Sequence, residues 1–521
     1  MKREIINLIA AVGFVLLGAA AVLGVLTGVL FIFPNTSIFG LKSVNERDTQ
    51  MIYHGEDLVK AFASGKIILE SEGVQIEVKM SRAGYEGENT VVVNESATGI
   101  AFNSLNRTLI EWNQTLYGEE TYYRIKVLEP SGMVFNQKPT TVSINLPYRN
   151  DEFRYDFVLR NRYSPVSFSF VDRTPSENAK ILLDDLVVES ASIVSFPYKS
   201  TNSINNVTVK GNNTKLTCKA NVNNKVVVEG NNNVLEFGNS DLAGIGGDLT
   251  ITGNNNRLSG TSANRVRFEA NNGSLNMSRT IATLDVTTQN APITVNNVAG
   301  AVTMTTLHGP LHVNGTVGNG LTFTAGGPEN PKALASVTAQ KINGAAVVEN
   351  YGYGNINLGD VNGDVNIKSS EVNGGTIKVG LRESGHSVNI LGYDGDINVS
   401  GIDGGDVTVE VRGGGSQAGA ADIELSFNKV GTAEIYSGGY LSGHEDWGGN
   451  VDVQLANNCN KLNMYIFYAG EAHSSSRYGY VDTDMKVSRD ESNLTAARNY
   501  IPGTDDGMGE IIIYSRRVYL H

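Results

Sequence analysis

Apolar and polar positions along this chain follow three successive rhythms. Residues 5–33, IINLIAAVGFVLLGAAAVLGVLTGVLFIF, form one apolar run without a charged side chain. At ~1.5 Å rise per residue a helix of that length is ~43 Å long, more than a ~30 Å hydrocarbon core requires. Lys2 and Arg3 precede the run and Pro34, Asn35, Thr36 and Ser37 follow it. The positive-inside bias then leaves a short cytoplasmic N-terminus and puts the rest of the chain outside, a single-pass topology. A cleavable signal peptide is the rival reading, with small residues at Gly18 to Ala21. A secretory apolar core is only about 7–15 residues, so an uncleaved transmembrane helix over 1–34 is the expectation.

The second rhythm is period-two alternation rich in β-branched and aromatic residues, in stretches such as IILESEGVQIEVKM, YYRIKVLE, TTVSINL and SFSFV between 61 and 199. That pattern predicts strands. Their irregular spacing suggests a β-sandwich-like, membrane-proximal module. Residues 35–60 read as a polar linker with one short helix around Asp57–Ala63.

At about residue 200 a third rhythm begins. Val207-Thr-Val-Lys-Gly-Asn-Asn, Val226-Val-Val-Glu-Gly-Asn-Asn, Leu249-Thr-Ile-Thr-Gly-Asn-Asn and Val266-Arg-Phe-Glu-Ala-Asn-Asn share one template, apolar–x–apolar–x–small–Asn–Asn. Their starts (207, 226, 249, 266) are 19, 23 and 17 residues apart. A short unit recurring at this period marks a solenoid, and two brief strands per unit suit a β-helix coil better than a propeller blade. The outer pair of each triplet would point inward and its middle residue outward. Asn tolerates left-handed backbone at a tight corner, and stacked amides can bond from coil to coil. Past 280 the apolar pairs continue between Gly/Asp turns, as at Leu284, Ile293, Val302, Leu311, Leu321, Ile356, Val365, Val388, Ile397, Val407 and Ile423. The predicted fold is all-β: a β-helix (β-solenoid) over 200–495, with a C-terminal tail and capping strand over 496–521.

Composition narrows the functional classes. Of 521 residues, 18% are charged and 58 are Gly, a balance that favours turn-rich β-structure over helical bundles. A net charge of −13 without a Lys/Arg cluster argues against nucleic-acid binding. Cys218 and Cys459 are the only cysteines. In a continuous solenoid their separation of 241 residues (459 − 218) corresponds to ~45–60 Å along the axis, against a ~7 Å limit for a disulfide. Two free, mostly buried thiols are expected.

The segment Gly354-Asn-Ile-Asn-Leu-Gly-Asp-Val-Asn-Gly-Asp-Val-Asn-Ile, with Asp394-Gly-Asp-Ile-Asn-Val-Ser-Gly-Ile-Asp-Gly-Gly-Asp-Val-Thr-Val, resembles the bacterial and archaeal β-strand-repeat adhesin families. Residues 207–278 are similar to a bacterial β-helix repeat built on Gly-Asn-Asn-Asn. Together they cover about half of the chain. The resemblance implies G-D-Φ-x-Φ units stacked into a β-solenoid, often behind one N-terminal membrane segment, and an adhesive role.

Candidate chemistry is sparse. Asp360, Asp364, Asp394, Asp396, Asp403 and Asp406 could line one face for Ca²⁺ or acid/base work. Each sits beside Gly or in a Tyr-Asp-Gly context, so turn chemistry is the preferred reading. His308 and His312 need not share a face, and no catalytic or phosphate-binding motif occurs. No metal, no cofactor and no catalytic set is therefore assigned, and the chain is not read as an enzyme. A long loop around Gly438–Asn450 interrupts the rhythm. With the strands after it, this loop supplies Tyr440, His444, Trp447, Tyr468 and Tyr478, either as part of a cap or as a carbohydrate- or protein-binding surface. The functional expectation is a membrane-anchored cell-surface solenoid for adhesion or envelope architecture, binding polysaccharide or surface proteins through many weak contacts. A polysaccharide-acting β-helix enzyme and a self-assembling filament subunit are the alternatives.

Overall fold

The computed structural model describes residues 15–22, 25, 37–38, 41–82, 89–102, 109–128, 140–148, 152–162, 166–172, 181–190, 192–197, 202–238, 244–329, 333–369, 375–393, 395–412, 422–429, 432–437, 451–455, 463–476, 486–489, 495–500 and 510–520. The protein is all-β with a β-solenoid of about ten turns. It divides into two compact units, 1–221 and 222–521. Residues 15–22 are helical. Among the described residues no helix is long and apolar enough to cross a membrane.

In the first unit the helix expected near Asp57–Ala63 is Glu56–Ser64, which buries Leu58, Ala61 and Phe62 and ends at Gly65 with φ 73°. Where a linker was expected before it, Leu41–Tyr53 is a 13-residue strand paired antiparallel with Thr90–Phe102. The expectation of a β-sandwich-like module is corrected by the pairing of the strands that follow. Lys66–Glu72 runs parallel to both Glu120–Leu128 and Tyr155–Asn161. Gln75–Arg82 runs parallel to both Thr141–Tyr148 and Val166–Asp172. These are two columns of parallel rungs, as in solenoid coils, whereas a sandwich packs antiparallel sheets face to face. Both columns continue in parallel through Leu182–Val188 and Ser192–Phe196 to Ser203–Val209 and Lys215–Cys218.

The order of the rungs is not the order of the chain. Strands 66–72 and 75–82 come first in sequence yet lie between neighbours that come later. Antiparallel strands Leu109–Tyr117 and Thr90–Phe102 flank Glu120–Leu128 and Thr141–Tyr148, covering edges that would otherwise stay open.

The second unit repeats one coil of two strands. In the first column Val226 faces Leu249, Leu249 faces Val266, and Val266 faces Leu284, in the register that the Asn-Asn template implies. The second column runs Leu235, Leu258, Leu275, Ile293, Leu311, Val337, Ile356, Ile377, Ile397. Each strand sends alternate residues inward. Val226, Val228, Leu249, Ile251, Val266 and Phe268 have no exposed surface. A buried Val, Leu, Ile or Phe contributes roughly 1.5–3 kcal/mol each, so coils with four or five such residues do not need a wide core.

Second-column strands bend where the register slips, between Val295 and Val298, Val313 and Thr316, and Leu358 and Val361. After each slip a third residue turns inward: Val298, Val317, Ile342 and Val361 are all buried. Two consecutive residues then face outward, and the coil gains a third, short side. Glu510–Leu520, the expected capping strand, pairs parallel with Asn463–Ser476.

Candidate functional site

Three surfaces in the structure carry chemistry. The outward side of the first column in the first unit carries paired charges. Glu70 accepts from Arg124, and Glu72 lies 3.1 Å from both Lys126 and Arg162. Against the burial that would raise its pKa, hydrogen bonds from Lys126 and Arg162 hold the Glu72 carboxyl below the ordinary range. Burial also pushes Tyr117 up to about 12, helped by Glu189, and raises Tyr122. These tyrosines cover Ile68, Val158 and Val187 on the outside of the coil. Asp156 is pushed up to about 6, first by burial and then by neighbouring Asp185 and Asp184, although the Asp185 N–H donates to it at 3.2 Å. Asp184 and Asp185 accept in turn from Asn205 and Asn206. Every one of these groups is engaged along the sheet face, and their chemistry is that of a cover over apolar rungs.

The second unit differs. On its second column the outward middle residues stack in register as Ser259, Asn276, Thr294, His312, Thr338 and Asn357. None is Asp, Glu, Lys or Arg, although 18% of the chain is charged. Glu236 precedes the series and Lys378 ends it. At ~4.8 Å per coil, five steps make a strip ~24 Å long. The first column over the same coils carries Arg267, Glu269, Asp285, Glu349 and Lys368.

The corner between the columns runs parallel to this strip, separated from it by the outward row Arg257, Ser274, Pro292, Pro310, Ser336 and Asn355. By the same register the corner's outward positions are Asn232, Asn255, Asn272, Asn290, His308, Leu334 and Tyr353, like the strip without a charged side chain. Asn255 donates to Asn232 at 2.9 Å and Asn290 to Asn272 at 2.8 Å, an amide ladder of the expected kind. Asn232 and Asn255 have φ of 57° and 56°, the left-handed corner read from the sequence.

At Leu334 and Tyr353 the ladder becomes apolar, and these two are 63% and 38% exposed. Tyr353 stands between Gly352 and Gly354 because the preceding coil passes so close. A Cβ would lie 1.7 Å from the Ala333 oxygen at Gly352 and 1.6 Å from the Ala335 oxygen at Gly354. From inside, fully buried Asn350 stitches the turn. It donates to Ala335 O at 3.0 Å and Gly354 O at 2.8 Å, and accepts from Gly352 N at 3.2 Å. Tyr353 N donates to Ala333 O at 2.8 Å. The ring therefore projects from a pinned corner. Beside it, Lys368 Nζ lies 5.4 Å from the Tyr351 ring centroid. His308 Nδ1 accepts from Leu334 N at 3.1 Å, so the neutral imidazole carries its proton on Nε2.

The third feature is an open depression at the start of the first-unit helix, lined by His54, Gly55, Glu56, Val59, Lys60 and Asn89. No convergent set of catalytic type lies there.

Residues proposed from the sequence fall as follows. Tyr440, His444, Trp447 and Tyr478 lie outside the described residues, as do Asp394 and Cys459. Tyr468 belongs to the strand Asn463–Ser476. Cys218 is free and fully buried, which pushes its thiol up to about 12. Of the aspartates, Asp364 accepts from Ser387 N at 2.9 Å and Asp396 from Asp422 N at 3.0 Å, each bonding to the next coil, and Asp360 has φ 42°. His308 and His312 sit on different parts of the coil, the corner and the strip. Leu334, Tyr351 and Tyr353 escaped sequence reasoning. The available signal was the lengthened coil, since Leu311 pairs with Val337, 26 residues on, where the preceding step from Ile293 to Leu311 is 18.

Compared with protein-family models, with curated proteins and with solved structures, the chain has no match.

Proposed function

We propose that this chain is a membrane-anchored surface protein whose β-solenoid serves adhesion or envelope architecture by binding glycan or protein at many weak contacts, without catalysis. The observation that carries this reading is the uncharged strip from Ser259 to Asn357, which offers one hydroxyl, amide or imidazole per coil at a fixed spacing. Regular spacing on a stiff sheet suits an extended partner, because each contact adds to the next without further ordering of the protein. The apolar run 5–33, preceded by Lys2 and Arg3, supports the anchor and an external solenoid.

The test incubates the full-length chain, in mild detergent, with a panel of envelope and extracellular polysaccharides and with surface-protein extracts. Retention and released fragments are read by mass in the same samples. Retention without cleavage is the expected result. Release of shortened fragments would replace the binding reading with an enzymatic one.

A further inference from the structure

We infer that the strip and its corner form a binding site for a neutral polysaccharide, with Leu334 and Tyr353 as the platform on which one sugar ring stacks. This inference rests on the binding reading above and adds the class of ligand and the place where it binds.

Charge decides the class of ligand. The chain has 54 acidic and 41 basic residues, yet from Asn276 to Asn357 the strip, the corner and the outward row between them have none. That middle row is Ser274, Pro292, Pro310, Ser336 and Asn355, with the exposed Arg257 standing one coil before them. The strip row is Ser259, Asn276, Thr294, His312, Thr338 and Asn357, and the corner row passes from Asn255 through His308 to Tyr353. A uronate or sulfated polymer needs cations to replace its hydration, and a basic partner needs carboxylates. Neither is offered. Hydroxyls, amides and an imidazole donate and accept without charge, which matches the hydroxyl groups of a neutral sugar.

The shape of the corner supports the same ligand. A pyranose has one apolar face edged with hydroxyls, and such a face packs on an aromatic ring beside polar groups. Leu334 and Tyr353 are adjacent in register and exposed, and the Nε2–H of His308 lies one coil away from Leu334 along the same row. Asn350, Gly352 and Gly354 fix the turn that carries Tyr353, so little conformational freedom is lost on binding. The apolar platform is small, two side chains against the roughly 800 Å² per partner of a standard protein interface. Asn272 and Asn290 add a further point. Neither has left-handed backbone, so the corner conformation does not demand an amide there, and the amide row still continues through them.

The test measures equilibrium binding of the full-length chain to immobilised neutral polysaccharides (glucans, mannans, galactans and N-acetylhexosamine polymers) and to charged ones (uronates and sulfated polymers), at low and high salt. At least one neutral polymer is expected to bind with a Kd that salt does not change, because exposed charges are screened and neutral contacts are not. Tyr353→Ala is expected to weaken that binding at least about tenfold, roughly 1.4 kcal/mol. Tyr353→Phe should retain it, and Thr338→Glu, which places a carboxylate in the strip, should weaken it. Circular dichroism of each variant separates loss of binding from loss of fold. Binding restricted to charged polymers, or abolished by salt, overturns the ligand class. Neutral binding that survives both Tyr353→Ala and Thr338→Glu overturns the site while leaving the glycan reading intact. Retention of proteins with no polysaccharide overturns the inference and leaves the broader binding reading standing.

Discussion

Replacing Asn350 by Ala removes a fully buried side chain that closes three hydrogen bonds inside the corner carrying Tyr353. The Gly352 N–H loses its acceptor, and the Ala335 and Gly354 carbonyls lose a donor. All three groups are buried, so water cannot take over without opening the coil. A buried group left unsatisfied costs about 1–3 kcal/mol, and carbonyls tolerate this better than an N–H. Taking the N–H near the middle of that range and each carbonyl near its foot gives a total of about 3–5 kcal/mol. Asn290→Ala is the control, because that exposed amide makes a single ladder bond at 2.8 Å, and its loss should cost no more than about 0.5–1 kcal/mol. Native-state hydrogen exchange on peptides covering 333–358 reads the local cost, which a global transition could blur in a chain with two compact units. Exchange there should speed by more than a hundredfold in Asn350→Ala and by less than about tenfold in Asn290→Ala. Equal effects in the two variants would refute the claim that Asn350 holds the corner.

Three further outcomes follow from burial and charge. Asp156 is raised in the fold to about 6 from an ordinary 3.8, so the folded state binds its proton more tightly and stability falls as pH rises between those values. Asp156→Asn should remove that fall and stabilise the first unit at pH 7 by about 1–2 kcal/mol, allowing for solvent screening at a partly exposed site, as urea unfolding across pH 3–8 will read. Phe323 is fully buried, in register with Met304 and Val348, and Phe323→Ala should cost about 3–5 kcal/mol by exchange in the second unit. Cys218, with its thiol pushed up to about 12, should resist thiol reagents at pH 8 in the native protein and react once urea unfolds it, which mass-spectrometric mapping of the labelled cysteine reads separately from Cys459.

Much of the second unit was legible because its coils follow chain order. The apolar pairs at Val226, Leu249 and Val266 align in space as they align in the sequence, and Asn232 and Asn255 take the left-handed backbone that the template implied. The parallel columns of the first unit were hidden for two physical reasons. Period-two alternation is the same for parallel and antiparallel strands. In addition, the strand Lys66–Glu72 pairs with Glu120–Leu128 and Tyr155–Asn161, so its rungs never appear as a repeat along the chain. The corner platform was missed because its residues are 19 apart and follow a coil stretched to 26. In that setting Leu334 looks like a loop residue and Tyr353 like one more aromatic. The uncharged strip was present in the letters themselves, but only the register turns scattered Ser, Asn, Thr and His into one row.

Hydroxyl-radical footprinting of the full-length chain, read by mass spectrometry at single residues, bears most directly on whether this row is where the partner lies. In the free protein Leu334, Tyr353, His308 and His312 should all be oxidised, as should exposed Leu116 in the first unit. With a saturating neutral polysaccharide, the first four should be protected and Leu116 should not. Protection of Leu116, with Leu334 and Tyr353 still oxidised at their free rates, would contradict the assignment of the strip and corner as the binding surface.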